Sequence, residues 1–278
     1  MPIRFSEKLC SNGLKKLSGG PALRGSWSAC VLAMLTIVVA PTAARADALP
    51  LISYAEQSAG LIRGTSLYDA GAGIRLQAGD IVESRTAGLQ IEGLNGTTVA
   101  LGAGTKIFLV KTGAATELRL LSGWLKVQPP AAAGPAGVAI AADTLRLVGS
   151  GTSVIHADTD TIEIFVEQGE DTLSDINPLT KTAQPQPLGR QQYARCRSAQ
   201  AIELGRPGKE FVAAMPHQFF DPLVSVAARL TAASLPARQR EVGYDDISPW
   251  LVGIYGLDKK LWTTAFPPAC PIPHFVKS

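Results

Sequence analysis

Between about Leu61 and Leu173, apolar residues fall in short runs separated by glycines, and within the runs they alternate with polar residues. Leu89-Gln-Ile-Glu92 puts Leu89 and Ile91 on one face, Asn95-Gly96 supplies a two-residue hairpin signal, and Val99 and Leu101 resume the alternation. Leu118-Arg-Leu120 runs into Ser122-Gly123, and Leu125-Lys-Val127 leads out, which predicts a reversal at Gly123. Ile162-Glu-Ile-Phe-Val-Glu167 places Ile162, Ile164 and Val166 inward and Glu163 and Glu167 outward, before a turn at Gly169. Period-two patterning with turns every 8–12 residues or so predicts a mainly β architecture: a sandwich, a barrel or a solenoid.

The pattern then changes. Pro129 to Gly137 is rich in proline, alanine and glycine and predicts a surface loop. Residues 174–210 carry Pro178, Pro185 and Pro187, which leave room only for short strands near Gln191–Cys196 and Ala201–Leu204. Asp221-Pro222 reads as a helix start, with Leu223, Val226 and Leu230 following at helical spacing; Ser248-Pro249 and Asp258 offer two more. Short helices are therefore expected after the strands, followed by a proline-rich tail from Phe266 to Pro273.

The N-terminus precedes this pattern with another. Arg4, Lys8, Lys15, Lys16 and Arg24 lead into an apolar run over residues 29–40, then Pro41 and Ala44-Arg45-Ala46. This order matches a cleavable signal peptide, and the run is shorter than the ~20 residues that span a bilayer. The alternative is a short uncleaved anchor. The expected division is 1–46 signal peptide, 47–205 β-domain and 206–278 short-helix segment with its tail.

Cleavage changes the charge. It removes six of the 26 basic and one of the 23 acidic residues, so a mature chain of about 232 residues holds 20 basic and 22 acidic, a net of −2. Nothing in that balance indicates a nucleic acid partner. Cys10 and Cys30 leave with the leader; Cys196 and Cys270 remain. In an oxidising compartment an even pair reads as a disulfide, with two free thiols as the alternative.

Five elements resemble FecR-like domains in that family's order: Gly79-Asp80-Ile81-Val82-Glu83-Ser84, Leu94 to Thr105, Leu120 to Val127, Gly151-Thr152-Ser153-Val154, and Val166 to Glu170. The resemblance covers about 110 residues. It implies a FecR-like β-sandwich or solenoid-like fold, to which the helix signals read above add a small C-terminal helical segment. Gly79, Asp80, Gly96, Gly123, Gly151, Thr152 and Gly169 become fold-forming positions, with Asp80 bonding turn amides. The family is named for a ferric-citrate signalling regulator whose periplasmic part receives a signal from an outer-membrane transporter. This sequence departs from that pattern: only about 28 residues precede the apolar run, and the C-terminal segment with Tyr244-Asp-Asp-Ile-Ser-Pro-Trp-Leu251 differs from the module that ends those regulators.

Candidate chemistry is sparse. His156, His217 and His274 lie far apart and lack ligand spacing; Asp158 and Asp160 are too few for a calcium loop. Asp245-Asp246 fits a helix start, no serine has a nucleophile-elbow context, and Gly71-Ala-Gly73 and Gly102-Ala-Gly104 lack a strand–loop–helix setting. No metal, cofactor or catalytic residue is nominated. Trp250, Tyr255, Trp262 and Phe266 read as core packing or as a patch for a partner. The functional expectation is a non-catalytic, exported, periplasmic binding or scaffold module with an envelope protein or glycan as partner and no stable membrane span after processing. The alternative is a FecR-type transmembrane signalling regulator of a sigma factor, anchored by residues 29–40.

Overall fold

The computed structural model describes residues 49–130, 138–176, 184–197, 200–230, 234–243 and 246–247. The chain divides into two compact units, Met1–Ala44 and Arg45–Ser278. The first, holding most of the expected leader, lies outside the described residues. So do residues 131–137 of the expected loop, Cys270, His274, the aromatic residues from Trp250 onward and the helix starts expected at Ser248 and Asp258.

The described part is mainly β, in two sheets that share one strand. The first sheet runs β1 (Leu51–Ala55), β5 (Leu89–Leu94), β6 (Thr97–Leu101), β8 (Glu117–Gln128), β11 (Thr152–Ala157), β12 (Thr161–Gln168), β15 (Tyr193–Arg197) and β16 (Glu203–Gly205). The second runs β17 (Ala237–Glu241), β3 (Ser66–Ala70), β2 (Ala59–Arg63), β4 (Ile81–Glu83), β7 (Lys106–Lys111), β8 again, β9 (Ala139–Ala142), β10 (Leu145–Gly149), β13 (Asp171–Asp175) and β14 (Gln186–Leu188). Every ladder between these strands is antiparallel except β8 with β9. The inward residues of both sheets form one core: Ile91, Val99, Leu125, Ile155 and Ile164 from the first meet Leu61, Val82, Ile107, Leu118 and Leu173 from the second.

Local sequence explains much of this. Asn95 and Gly96, with φ of 54° and 80°, join β5 to β6 in the primed-turn geometry that matches strand twist. Ile91 then pairs directly with Val99, and both are fully buried. Ile162, Ile164 and Val166 face the core, at 5%, 2% and 0% exposure. Glu163 and Glu167 point the other way, yet both are only half-exposed, because the outer face of the first sheet is largely covered.

Two expectations are corrected. Gly123 does not end a strand: residues 117–128 form one continuous strand. The first half pairs with β7 and β9, the second with β6 and β11, and Gly123 at φ +94° is the bend between them. A Cβ there would lie 2.6 Å from Thr105 Oγ1 and 2.7 Å from Thr105 Cα. Thr105 fills that space because its hydroxyl accepts from Trp124 N–H at 2.9 Å and donates to Trp124 O at 3.0 Å. Period-two alternation cannot distinguish a bend from a reversal, since both need positive φ.

The second correction concerns the segment after Gly205. A short helix, α1 (Lys209–Ala214), forms earlier than expected and buries Phe211. Asp221-Pro222 starts no α-helix: residues 221–226 form no regular element, and a single 3-10 turn follows at Ala227–Arg229. The backbone amides that a helix would use are taken by side chains of the first sheet. Gln128 Oε1 accepts from Leu223 N–H at 2.8 Å, and Glu92 Oε1 accepts from Val226 N–H at 2.8 Å. Residues 209–230 thus form a strap over the outer face.

Gly123→Ala is predicted to destabilise the domain by about 2–4 kcal/mol through unfavourable φ and overlap with Thr105. Ile164→Ala should cost about 2–5 kcal/mol. Urea unfolding followed by circular dichroism checks both, and a loss below about 0.5 kcal/mol for either would refute its assigned place.

Candidate functional site

The first sheet's outer face is organised by strand register. Trp124 pairs with His156, His156 with Glu163, Glu163 with Arg195, and Arg195 with Glu203. These five residues from five strands form one row across the sheet. At about 4.8 Å per strand the row is roughly 19 Å long. The next row is Lys126, Val154, Phe165, Tyr193 and Gly205.

The strap covers the second row. Phe211, Met215 and Phe219 pack with Val154, Tyr193 and Ala100 in a separate apolar cluster, with Trp124 and Phe165 at its margin. Phe211 lies edge-on to Tyr193, centroids 5.4 Å apart, and tilted against Trp124 at 5.1 Å. The first row stays uncovered along one side. There α1, β16 and the row itself enclose a groove of about 420 Å³ lined by Trp124, His156, Glu163, Arg195, Glu203 and Glu210, among others.

Within the groove, the Trp124 and His156 rings stack at 4.1 Å with 17° between planes. His156 Nδ1 lies 3.1 Å from Glu163 Oε2, and the Tyr193 hydroxyl donates to Glu163 Oε1 at 2.5 Å. Burial, then the bond to Glu163, push the Tyr193 hydroxyl well above its ordinary pKa, so it remains a donor. Both Glu163 oxygens are therefore engaged. Arg195 Nε is 3.9 Å from Glu163 Oε1, too far for a hydrogen bond, and although buried it has no other partner.

Polar side chains of the sheet hold the strap by its main chain. Lys126, 1% exposed, donates to Glu167 Oε2 at 2.9 Å, to Asp221 O at 3.0 Å and to Phe219 O, using its three protons. Gln128 bonds both the N–H and the C=O of Leu223, and Gln90 donates to Val224 O at 2.9 Å. Glu92 accepts from Ser225 Oγ and from the amides of Val226 and Ala227. Burial pushes the Glu92 carboxyl up, but these bonds outweigh it and leave its pKa below the ordinary carboxylate value.

Of the histidines considered in the sequence, His156 lies in the groove; the fold-forming positions lie elsewhere. Gly79 precedes Asp80 in a turn; buried Asp80 accepts from Gln77 N–H at 2.8 Å and from Arg63 Nε at 2.8 Å and Nη2 at 2.6 Å. Gly151, one of the fold-forming glycines, does not take positive φ. It lies against Asp171, where a Cβ would come within 2.7 Å of the carboxylate, and its N–H donates to Asp171 Oδ1 at 2.9 Å. Thr152 opens β11, and Gly169 turns β12 into β13. Asp158 and Asp160 bond the adjacent Thr159 and Thr161, and Asp246 pairs with Arg240. Among the described residues, no group of three or more His, Cys, Asp or Glu is placed to hold a metal ion. Cys196 is half-buried on β15, with burial raising its thiol pKa; its expected partner Cys270 lies outside the described residues.

The register brings His156 to Trp124, Glu163, Arg195 and Glu203, a grouping with no signature in the sequence because 79 positions separate its ends. The outward positions of alternating strands were the available signal. Trp124 and Phe165 are large and apolar where solvent-facing polarity was expected.

No protein-family model matches the chain, and no curated protein matches it. Two crystal structures of a proposed anti-sigma factor from Parabacteroides distasonis ATCC 8503 are similar. One, at 1.65 Å, has TM-score 0.39 and 15% identity, covering 48% of this chain and 63% of that one. The other, at 2.50 Å, has TM-score 0.36 and 14% identity, covering 56% and 63%. The chain thus spans less than two thirds of each. The FecR-like resemblance rests on the five sequence elements.

Lys126→Ala should destabilise the protein by about 3 kcal/mol, since Glu167 and two strap carbonyls lose their donor. Limited proteolysis should show cleavage within 209–230 before the sheets unfold; equal resistance in both proteins would refute the anchoring role. Because Glu92 is depressed, its contribution is present above the ordinary carboxylate pKa and is lost as pH falls through the lowered value. Acidification should therefore expose the strap to protease, and Glu92→Gln should flatten that dependence.

Proposed function

We propose that the chain is a non-catalytic, exported binding module of the cell envelope, and that the groove on the outer face of its first sheet is where it binds. The observation supporting this is the groove's composition. An aromatic stack and charged side chains line a concavity whose volume lies in the ordinary range of small-molecule sites, about 300–1,000 Å³. Glu163 is spent on Tyr193 and His156, which suits a fixed recognition surface better than a titrating acid or base. The leader pattern at residues 1–46 supports export, and the partner in this reading is an envelope protein or glycan.

Two measurements test this. N-terminal sequencing of the protein recovered from cells should find a start near Asp47; a chain retaining residues 29–40 would favour the membrane-held regulator. A photo-crosslinking residue at Leu204, 56% exposed on the groove rim, should yield adducts in intact cells. The same residue at Glu241 on β17 should not, and equal labelling at both positions would refute the groove as the binding surface.

A further inference from the structure

The groove's lining specifies a ligand class. Its lining is aromatic at one end, where Trp124 and His156 stack with Phe211 tilted beside them. Its other end mixes arginines with carboxylates: Arg195 and Arg206 beside Glu203 and Glu210. Arg195 Nε has no hydrogen-bond partner and stands 3.9 Å from Glu163, while Arg206, Glu203 and Glu210 are exposed on the groove wall. A purely anionic ligand would meet Glu203 and Glu210; a purely cationic one would meet both arginines. A purely apolar one would cover charged side chains without giving them a partner. A polyhydroxylated ring resolves all three conflicts. Each hydroxyl both donates to a carboxylate and accepts from a guanidinium, and the ring's C–H face packs on an aromatic platform.

Resting on the reading of the groove as a binding site, we propose that it takes a saccharide. The sugar ring lies against the Trp124–His156 stack, and its hydroxyls bond Arg195, Glu203 and Glu210. Arg195 and Glu203 are directly registered neighbours on β15 and β16, so together they present a donor and an acceptor to adjacent hydroxyls.

The test is an NMR titration of the purified protein, following the Trp124 indole resonance. The probes are N-acetylglucosamine oligomers, a hexuronate oligomer, a lipopolysaccharide core oligosaccharide and, as a separate arm, extended heptapeptides. At least one saccharide should shift the resonance saturably. Arg195→Ala and Glu203→Ala, both on the groove's open side, should each weaken binding at least tenfold, while Glu241→Ala should not. Circular dichroism confirms that the variants fold. Saccharide binding unchanged in both variants overturns the site. Titration by peptides alone, or by nothing while Leu204 still crosslinks a protein in cells, overturns the saccharide and leaves the binding module standing. No titration together with no crosslink overturns both.

Discussion

The architecture depends on one strand serving two sheets. β8 can do this because Gly123 occupies a backbone region closed to other residues and leaves room for Thr105, whose hydroxyl closes on Trp124 from both sides. The bend sends Leu118 and Leu120 into one layer and Leu125 and Val127 into the other, yet all four reach the same core. It also turns Trp124 and Lys126 outward, where one supports the groove and the other holds the strap. A straight β8 would break the link between the sheets and dismantle the outer face with it.

That outer face departs from the usual half-wet sheet, in which the side opposite the core meets solvent. Here it carries a second apolar cluster, closed by Phe211, Met215 and Phe219. Long polar side chains make this arrangement workable. Lys126, Gln128, Gln90 and Glu92 reach past the sheet to bond a chain with no strand partner along that stretch, so the strap's main chain keeps hydrogen bonds that a ladder would otherwise supply.

The sequence makes the inward half of this structure legible. Alternation at Leu89, Ile91, Ile162 and Ile164, and the turn at Asn95-Gly96, are local signals that the packing obeys. The outward half is not legible in the same way. Lys126 looks like an ordinary exposed lysine between Leu125 and Val127, and only the strap, some 95 positions later, makes it buried. Leu223, Val226 and Leu230 keep helical spacing, but Glu92 and Gln128 compete successfully for the amides. The groove row is set by register between strands, which no spacing along the chain encodes.

The strap also fixes an order of assembly. Its bonds to the sheet join residues 93 to 135 positions apart, and each needs β5, β6 or β8 already in place. Loops of that length close slowly and late. Lys126, Val154 and Tyr193 gain their cover only when the strap docks. A chain cut before residue 209 would leave that apolar patch open to self-association.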